Sequence, residues 1–162
     1  MQVSPPDRHG YCSLGVSVDV AKAAVDSASV VLALINDKMP RVLGDGLVHI
    51  SQIKAAAKIS RPIVSSSPKM PSEIEMAIGK NVASLVDDGS ILQAGIGGVP
   101  DAVMRSLRSH RNLGIHTEMW SDGVLELLKG GAVNNSRKKV LPGKTVSSFL
   151  VGSPELYEFV DD

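Results

Sequence analysis

Apolar positions along this chain follow two periods in alternation, and each change of period marks a change of element. "DVAKAAVDSA" places Val20, Ala23, Ala24 and Ala28 near one helical face, with Asp19 available to cap its start. "SVVLALIN" follows as a continuous apolar run, which reads as a strand covered on both sides. Upstream, "YCSLGVSV" reads as another strand. Strand, helix and strand in that order predict a parallel crossover unit. "LVHIS", from Leu47 to Ser51, is a further short strand.

The periodicity is lost from Ile53 to Pro71. "SRPIVSSSPKMP" holds three prolines and four serines. Proline removes ladder donors and biases its predecessor toward extended backbone, so this stretch reads as a linker. The chain therefore divides into a first domain over residues 1–53, a linker over 54–71 and a second domain over 72–162. Regular structure resumes at "SEIE", a capping box in which Ser72 and Glu75 satisfy each other's backbone donors. Ile74, Ile78, Val82, Leu85 and Val86 continue at helical spacing until Asp88-Gly89. "SILQAG" is a strand, and a helix opens at Pro100 and Asp101, where proline and an acidic residue both suit the first turn. "LGIHTEM" is the next strand, "DGVLELLKGG" a short helix closed by glycines, and "KTVSSFLVGS" a last strand before a helix at Ser153-Pro154. The alternation predicts an α/β protein with mostly parallel sheets and flanking helices.

Composition narrows the chemistry. The 17 basic and 17 acidic residues cancel, so no field draws the chain to nucleic acid or to an anionic membrane. The one dense basic run, Arg137-Lys138-Lys139, carries no interleaved aromatics and reads as a solvated loop. Cys12 is the only cysteine, which excludes an intrachain disulfide and a cysteine-built zinc site. No apolar run approaches the ~20 residues of a membrane-spanning helix. "MQVSPPD" has neither the apolar core of a signal peptide nor the basic residues of a transit peptide. "VSPPDRHG" at the start and "YEFVDD" at the end both read like protein interior, so the chain is expected to be an internal part of a longer protein.

Three stretches carry candidate chemistry. In "QAGIGGVPDAV" a strand runs into Gly95, Ile96, Gly97 and Gly98, and Val99 and Pro100 lead into a helix. Glycines let backbone approach a ligand and the helix start favours anions, but a tight turn with no ligand explains the stretch as well. It is neither a dinucleotide fingerprint nor a P-loop. In "LGIHTEMWSDGV", His116, Thr117 and Glu118 lie at the C-terminal end of a strand, where open α/β sheets bind ligands. Glu118 is either a solvated or capping acid or a carboxylate aimed at a substrate; His116 reads as a packed or supporting histidine; Asp122 can cap the next helix. In "NDKMPRVLGDGLVHIS", Arg41 is either an anion partner or an ion pair with Asp45.

Together with "VSPPDRHGYCSLGVSVD" and "GSPELYEFVDD", these stretches resemble the acetyl-CoA hydrolase/transferase family, and within it the 4-hydroxybutyrate CoA-transferase branch. The resemblance covers nearly the whole chain. It implies the two-domain CoA-transferase fold, with residues 1–53 ending the first domain and 72–162 opening the second. It implies that Glu118 attacks an acyl-CoA thioester, that Gly95, Ile96, Gly97, Gly98, Val99 and Pro100 line the CoA path, and that His116 and Arg41 lend support. Trp120 stands where the family more often has phenylalanine. The implied reaction moves CoA between a short acyl-CoA and a carboxylic acid; the alternatives are acyl-CoA hydrolysis at the same glutamate, or a remnant that has lost catalysis. Coenzyme A is expected as a substrate and no permanent cofactor or metal is expected. Neither nucleic acid nor membrane is an expected partner, the full-length form is expected to self-associate, and the expected compartment is the cytoplasm, or the mitochondrion in a eukaryote. Relatives are well over twice this length, so the 162 residues alone are expected to be poorly stable or inactive.

Overall fold

The computed structural model describes residues 1–161. They divide into two units, one built from Met1–Ser65 with the segment from Pro154, the other from Ser66–Ser153.

The first unit centres on a three-stranded parallel sheet of β1 (Gln2–Val3), β3 (Leu32–Asn36) and β5 (Ala55–Ile59), with β3 in the middle. Helix α1 (Asp19–Ser27) supplies Val25 to a core that also holds Val3, Cys12, Leu14, Val31, Ala33, Ile35 and Val48. Strands β2 (Tyr11–Ser13) and β4 (Leu47–His49) form a separate antiparallel pair.

Three features differ from the sequence reading. "YCSLGVSV" is not the parallel partner of β3: Gly15, at φ 64°, ends β2 early, and Leu14 donates to the Gly46 carbonyl at 2.8 Å. The crossover instead runs from β1 through α1 to β3. β3 is covered on one face only; Ala33 and Ile35 are buried while Leu32 is 60% exposed. The expected linker begins later than residue 54. "AAAKI" is helix-prone by composition, yet it pairs with β3 through five registered positions, a case of tertiary pairing overriding local propensity. Asn36, fully buried, fixes this arrangement by donating to the Arg61 carbonyl at 2.8 Å and accepting from the Arg61 and Lys38 amides.

The chain end also differs from a second domain running to residue 162. Helix α5 (Pro154–Phe159) belongs to the first unit, where the Tyr157 hydroxyl donates to the Val64 carbonyl at 2.9 Å and Asp161 accepts from the Arg41 amide at 2.6 Å.

The second unit opens with α2 (Glu73–Ala83), whose capping box forms as expected. It continues through β6 (Ile91–Leu92), α3 (Gly98–Ser106), β7 (Gly114–Ile115), β8 (Met119–Trp120), α4 (Asp122–Lys129) and β9 (Phe149–Leu150). β6 pairs parallel with β7, and β8 parallel with β9. The expected "LGIHTEM" strand is thus two short strands with a break at Thr117-Glu118. Leu107, Leu113, Ile115, Val124 and Leu127 make up the aliphatic core that the shortage of aromatics requires. Among the described residues no helix is long and apolar enough to cross a membrane.

Helices α2 and α3 meet at Gly79. A Cβ there would lie 2.6 Å from the Ala102 carbonyl carbon, a rigid backbone atom. Gly→Ala inside a helix ordinarily stabilises by roughly 0.5–1 kcal/mol. Here the overlap reverses the sign: Gly79→Ala should lower stability by about 1–3 kcal/mol, read as a reduced urea midpoint.

Candidate active site

Two short parallel strands position the glycine loop and the acidic stretch at one edge. The β6–β7 ladder uses the Gly114 amide on the Ser90 carbonyl, 2.9 Å, and the His116 amide on the Leu92 carbonyl, 3.0 Å. Beyond this point both chains leave the ladder at their C-terminal ends, where parallel sheets open to ligands. Thr117, buried, joins them once more: its Oγ1 accepts from the Ala94 amide at 3.0 Å and donates to the Ala94 carbonyl at 2.9 Å. Gly95 follows Ala94 and Glu118 follows Thr117, so this one side chain ties the glycine loop to the acidic residue.

The glycine loop runs Gly95, Ile96, Gly97 and enters α3 at Gly98. Gly97 has φ 117°, which disfavours any side chain, and Ile96 is 70% exposed. Gly98 lies against the Glu75 carboxylate with no room for a Cβ. The Ser72 amide and hydroxyl hold Glu75 there and keep its carboxyl below the ordinary value. Val99 and Pro100 occupy the first turn of α3, as the proline rule predicts.

The Glu118 side chain is exposed and makes no hydrogen bond or ion pair among the described residues. Its backbone is firmly held: the carbonyl accepts from the Ser148 amide at 3.0 Å, the Ser148 hydroxyl at 2.8 Å and the Phe149 amide at 3.2 Å. A fixed backbone with an unengaged carboxylate is the arrangement a reactive acid needs.

Next to the loop lies a cavity of about 470 Å³ whose lining includes Ile96, Gly97, Gly98 and Met119. Its charged residues are Lys69, Arg105, Glu75, Asp101, Asp122 and Glu126, four acids against two bases. Burial raises the Asp101 carboxyl, and the Ser121 hydroxyl, donating at 3.2 Å, opposes that rise. Asp122 does not cap α4 with its carboxylate; it accepts from the Ser153 amide at 3.0 Å.

His116 and Arg41 are placed elsewhere. His116 is exposed and lines a separate depression with Arg137, Lys138 and Lys139. Arg41 belongs to the first unit, and its partner is Asp7 at 2.7 Å, not Asp45. The Tyr11 amide above all, with the His9 amide and the Arg41 charge, holds the Asp7 carboxyl below its usual value against the opposing effect of burial. Lys138 was expected in a solvated loop and is buried instead, donating to the Ile115 carbonyl at 2.8 Å and the Lys144 carbonyl at 2.5 Å. Burial pushes its amine below the ordinary lysine value. Among the described residues no cluster of three or more His, Cys, Asp or Glu side chains could hold a metal.

Residues 1–66 match the model of the acetyl-CoA hydrolase/transferase N-terminal domain. The whole chain aligns, at 50% identity, with 38% of the 4-hydroxybutyrate coenzyme A transferase of Clostridium kluyveri. At 48% identity it aligns with 34% of the succinyl-CoA:acetate/propanoyl-CoA:succinate CoA transferase of Fasciola hepatica. A crystal structure of 4-hydroxybutyrate CoA-transferase from Porphyromonas gingivalis superposes on 99% of the chain at a TM-score of 0.96 and 48% identity, using 41% of that protein. The chain thus spans between 34% and 41% of the length of these relatives.

Asp101 provides a pH test of the site. A carboxyl raised by burial is uncomfortable when ionised, so its cost is present above its folded pKa and is lost as pH falls through that value. Asp101→Asn should therefore be more stable than the parent at pH 7. The advantage should vanish as pH drops to the ordinary carboxylate range, read from urea midpoints at both pH values.

Proposed function

We propose that Glu118 is the nucleophile of a CoA-transferase acting on short-chain acyl-CoA esters and carboxylic acids. The observation that carries this reading is the unengaged Glu118 carboxylate, tied through Thr117 and Ala94 to the glycine loop. The family-model match over residues 1–66 and the names of the aligned relatives support the same chemistry.

In this reading Glu118 attacks the thioester carbonyl, forming a mixed anhydride and expelling CoA thiolate. The thiolate returns to the glutamyl carbonyl, the donor acid leaves as its carboxylate, and a glutamyl-CoA thioester remains. The acceptor acid attacks that thioester, expels the thiolate and forms its own mixed anhydride; the thiolate then takes the acyl group and frees Glu118. No net proton is consumed. Enzyme and substrate acyl groups are chemically alike, so each exchange is nearly balanced in energy. The glycine loop admits the pantetheine arm, since Gly95 and Gly97 leave open space where side chains would stand. The acid-rich cavity suits a neutral acyl or pantetheine portion better than the phosphates of CoA. The second unit would then be the start of the catalytic domain, with coenzyme A entering as a substrate.

Borohydride tests the intermediate, because it reduces a thioester to an alcohol and spares a carboxylate. After incubation with butyryl-CoA, peptide mapping should find the alcohol at Glu118 in the parent protein and none in Glu118→Gln, whose transfer rate should fall roughly a thousandfold or more. An unmodified parent would overturn the reading. Turnover that continues without an added acid would assign water as the acceptor and the protein as a hydrolase.

A further inference from the structure

The β6–β7 ladder contains a substitution that bears on Glu118. Its bonds run from Gly114 to the Ser90 carbonyl and from His116 to the Leu92 carbonyl. Each step advances two residues on both strands, as a parallel ladder requires. The next bond in the series is Glu118 N–H to the Ala94 carbonyl. It is not made. The Thr117 hydroxyl donates to that carbonyl at 2.9 Å and accepts from the Ala94 amide at 3.0 Å, satisfying both backbone groups of Ala94 from one atom. The Glu118 amide donates to no protein group among the described residues. Meanwhile the Thr117 amide has turned to the opposite neighbour, the Val146 carbonyl, at 3.0 Å.

We infer that Thr117 is a positioning residue for Glu118: its hydroxyl takes the place of the Glu118 amide on Ala94 and so releases Glu118 from the strand. The consequence rests on the transferase reading of Glu118, but the geometry does not. A residue inside a parallel ladder has its side chain direction set by the pleat and its neighbours spaced at strand distance. Released from β7, Glu118 occupies a bend, with its carbonyl held by Ser148 and Phe149 and its carboxylate turned out to solvent. The same hydroxyl closes the root of the glycine loop, because Gly95 follows the clamped Ala94. Serine and threonine are the compact side chains that both donate and accept at one oxygen, and threonine adds a methyl suited to a buried position. Thr117 is 6% exposed.

Removing the hydroxyl gives opposite effects at two neighbouring amides, which general loosening of the fold would not do. In Thr117→Val the Ala94 carbonyl is freed to accept the Glu118 amide, so the ladder extends by one step. Residue-resolved amide exchange should then show about tenfold faster exchange at Ala94 and about tenfold slower exchange at Glu118, each the size of one ordinary hydrogen bond. Thr117→Ser keeps the oxygen and should retain the parent pattern at both sites. Borohydride trapping with butyryl-CoA should give little alcohol at Glu118 in the valine variant and near-parent yield in the serine variant. Exchange that accelerates at both amides in the valine variant, or a serine variant that behaves like valine, would overturn the inference. A parent protein that traps no intermediate, with the opposed exchange pattern intact, would overturn the transferase reading and leave the ladder exchange standing.

Discussion

Ile115 has to satisfy both sides of its backbone while standing in a strand of only two residues. β6 is equally short and gives β7 one neighbour. On the other side no regular strand completes the ladder. The Asn135 amide oxygen accepts the Ile115 N–H at 2.9 Å, and the Ile115 carbonyl accepts from the buried Lys138 ammonium at 2.8 Å and from the Val146 amide at 3.2 Å. Buried backbone groups left unpaired cost about 1–3 kcal/mol each, so Asn135, Lys138 and the Val146 amide together let β7 exist at this length. A charged amine is an expensive means to that end, and the fall of its pKa records the expense.

Much of the second unit follows from that short strand. With β7 ending at Ile115, Thr117 can turn its amide to Val146 and its hydroxyl to Ala94, and the chain reaches Glu118 already outside the ladder. β8 then restarts at Met119 with a different partner, β9. The edge at which β6 and β7 part is therefore built by competition between side-chain and backbone hydrogen bonds. The glycine loop depends on the same parting: Gly97 needs its positive φ to swing from the strand end into α3, and Gly98 must leave room for the Glu75 carboxylate that caps α2.

How much of this could be read from the residues depends on how local each cause is. The Ser72–Glu75 capping box, the proline in the first turn of α3 and the closing of α4 by Gly130 are encoded within one helical turn, and all three form. The α/β class with parallel pairing was legible from alternation, because period is a property of each segment alone. Pairing partners were not. "AAAKI" has no strand signature of its own and becomes β5 because β3 offers an open edge, while "YCSLGVSV" has the signature and loses half its length to Gly15. Lys138 shows the same limit in polar chemistry. Its neighbours Arg137 and Lys139 share its charge, and only the carbonyls of Ile115 and Lys144, brought near by the fold, distinguish it. The sequence places Thr117 at the C-terminal end of a strand, but its exchange with the Glu118 amide depends on the register of β6.

The arrangement of charge has a further consequence for an acid at Glu118. A carboxylate held by a cation is stabilised in its ionised form and surrenders nucleophilicity in proportion. Arg41, the cation singled out from the sequence as a possible anion partner, is committed to Asp7 and the Tyr11 carbonyl, and the buried Lys138 to two backbone carbonyls. In the cavity beside the loop, Arg105 faces Glu126. Glu118 is thus positioned by its backbone alone, through Ser148, Phe149 and the ladder exchange at Thr117. In the proposed transferase cycle Glu118 passes from free carboxylate to anhydride to thioester and back, and so changes charge repeatedly. Fixing it through neutral backbone bonds keeps its position the same in every one of those states, which a salt bridge to the reacting group could not do.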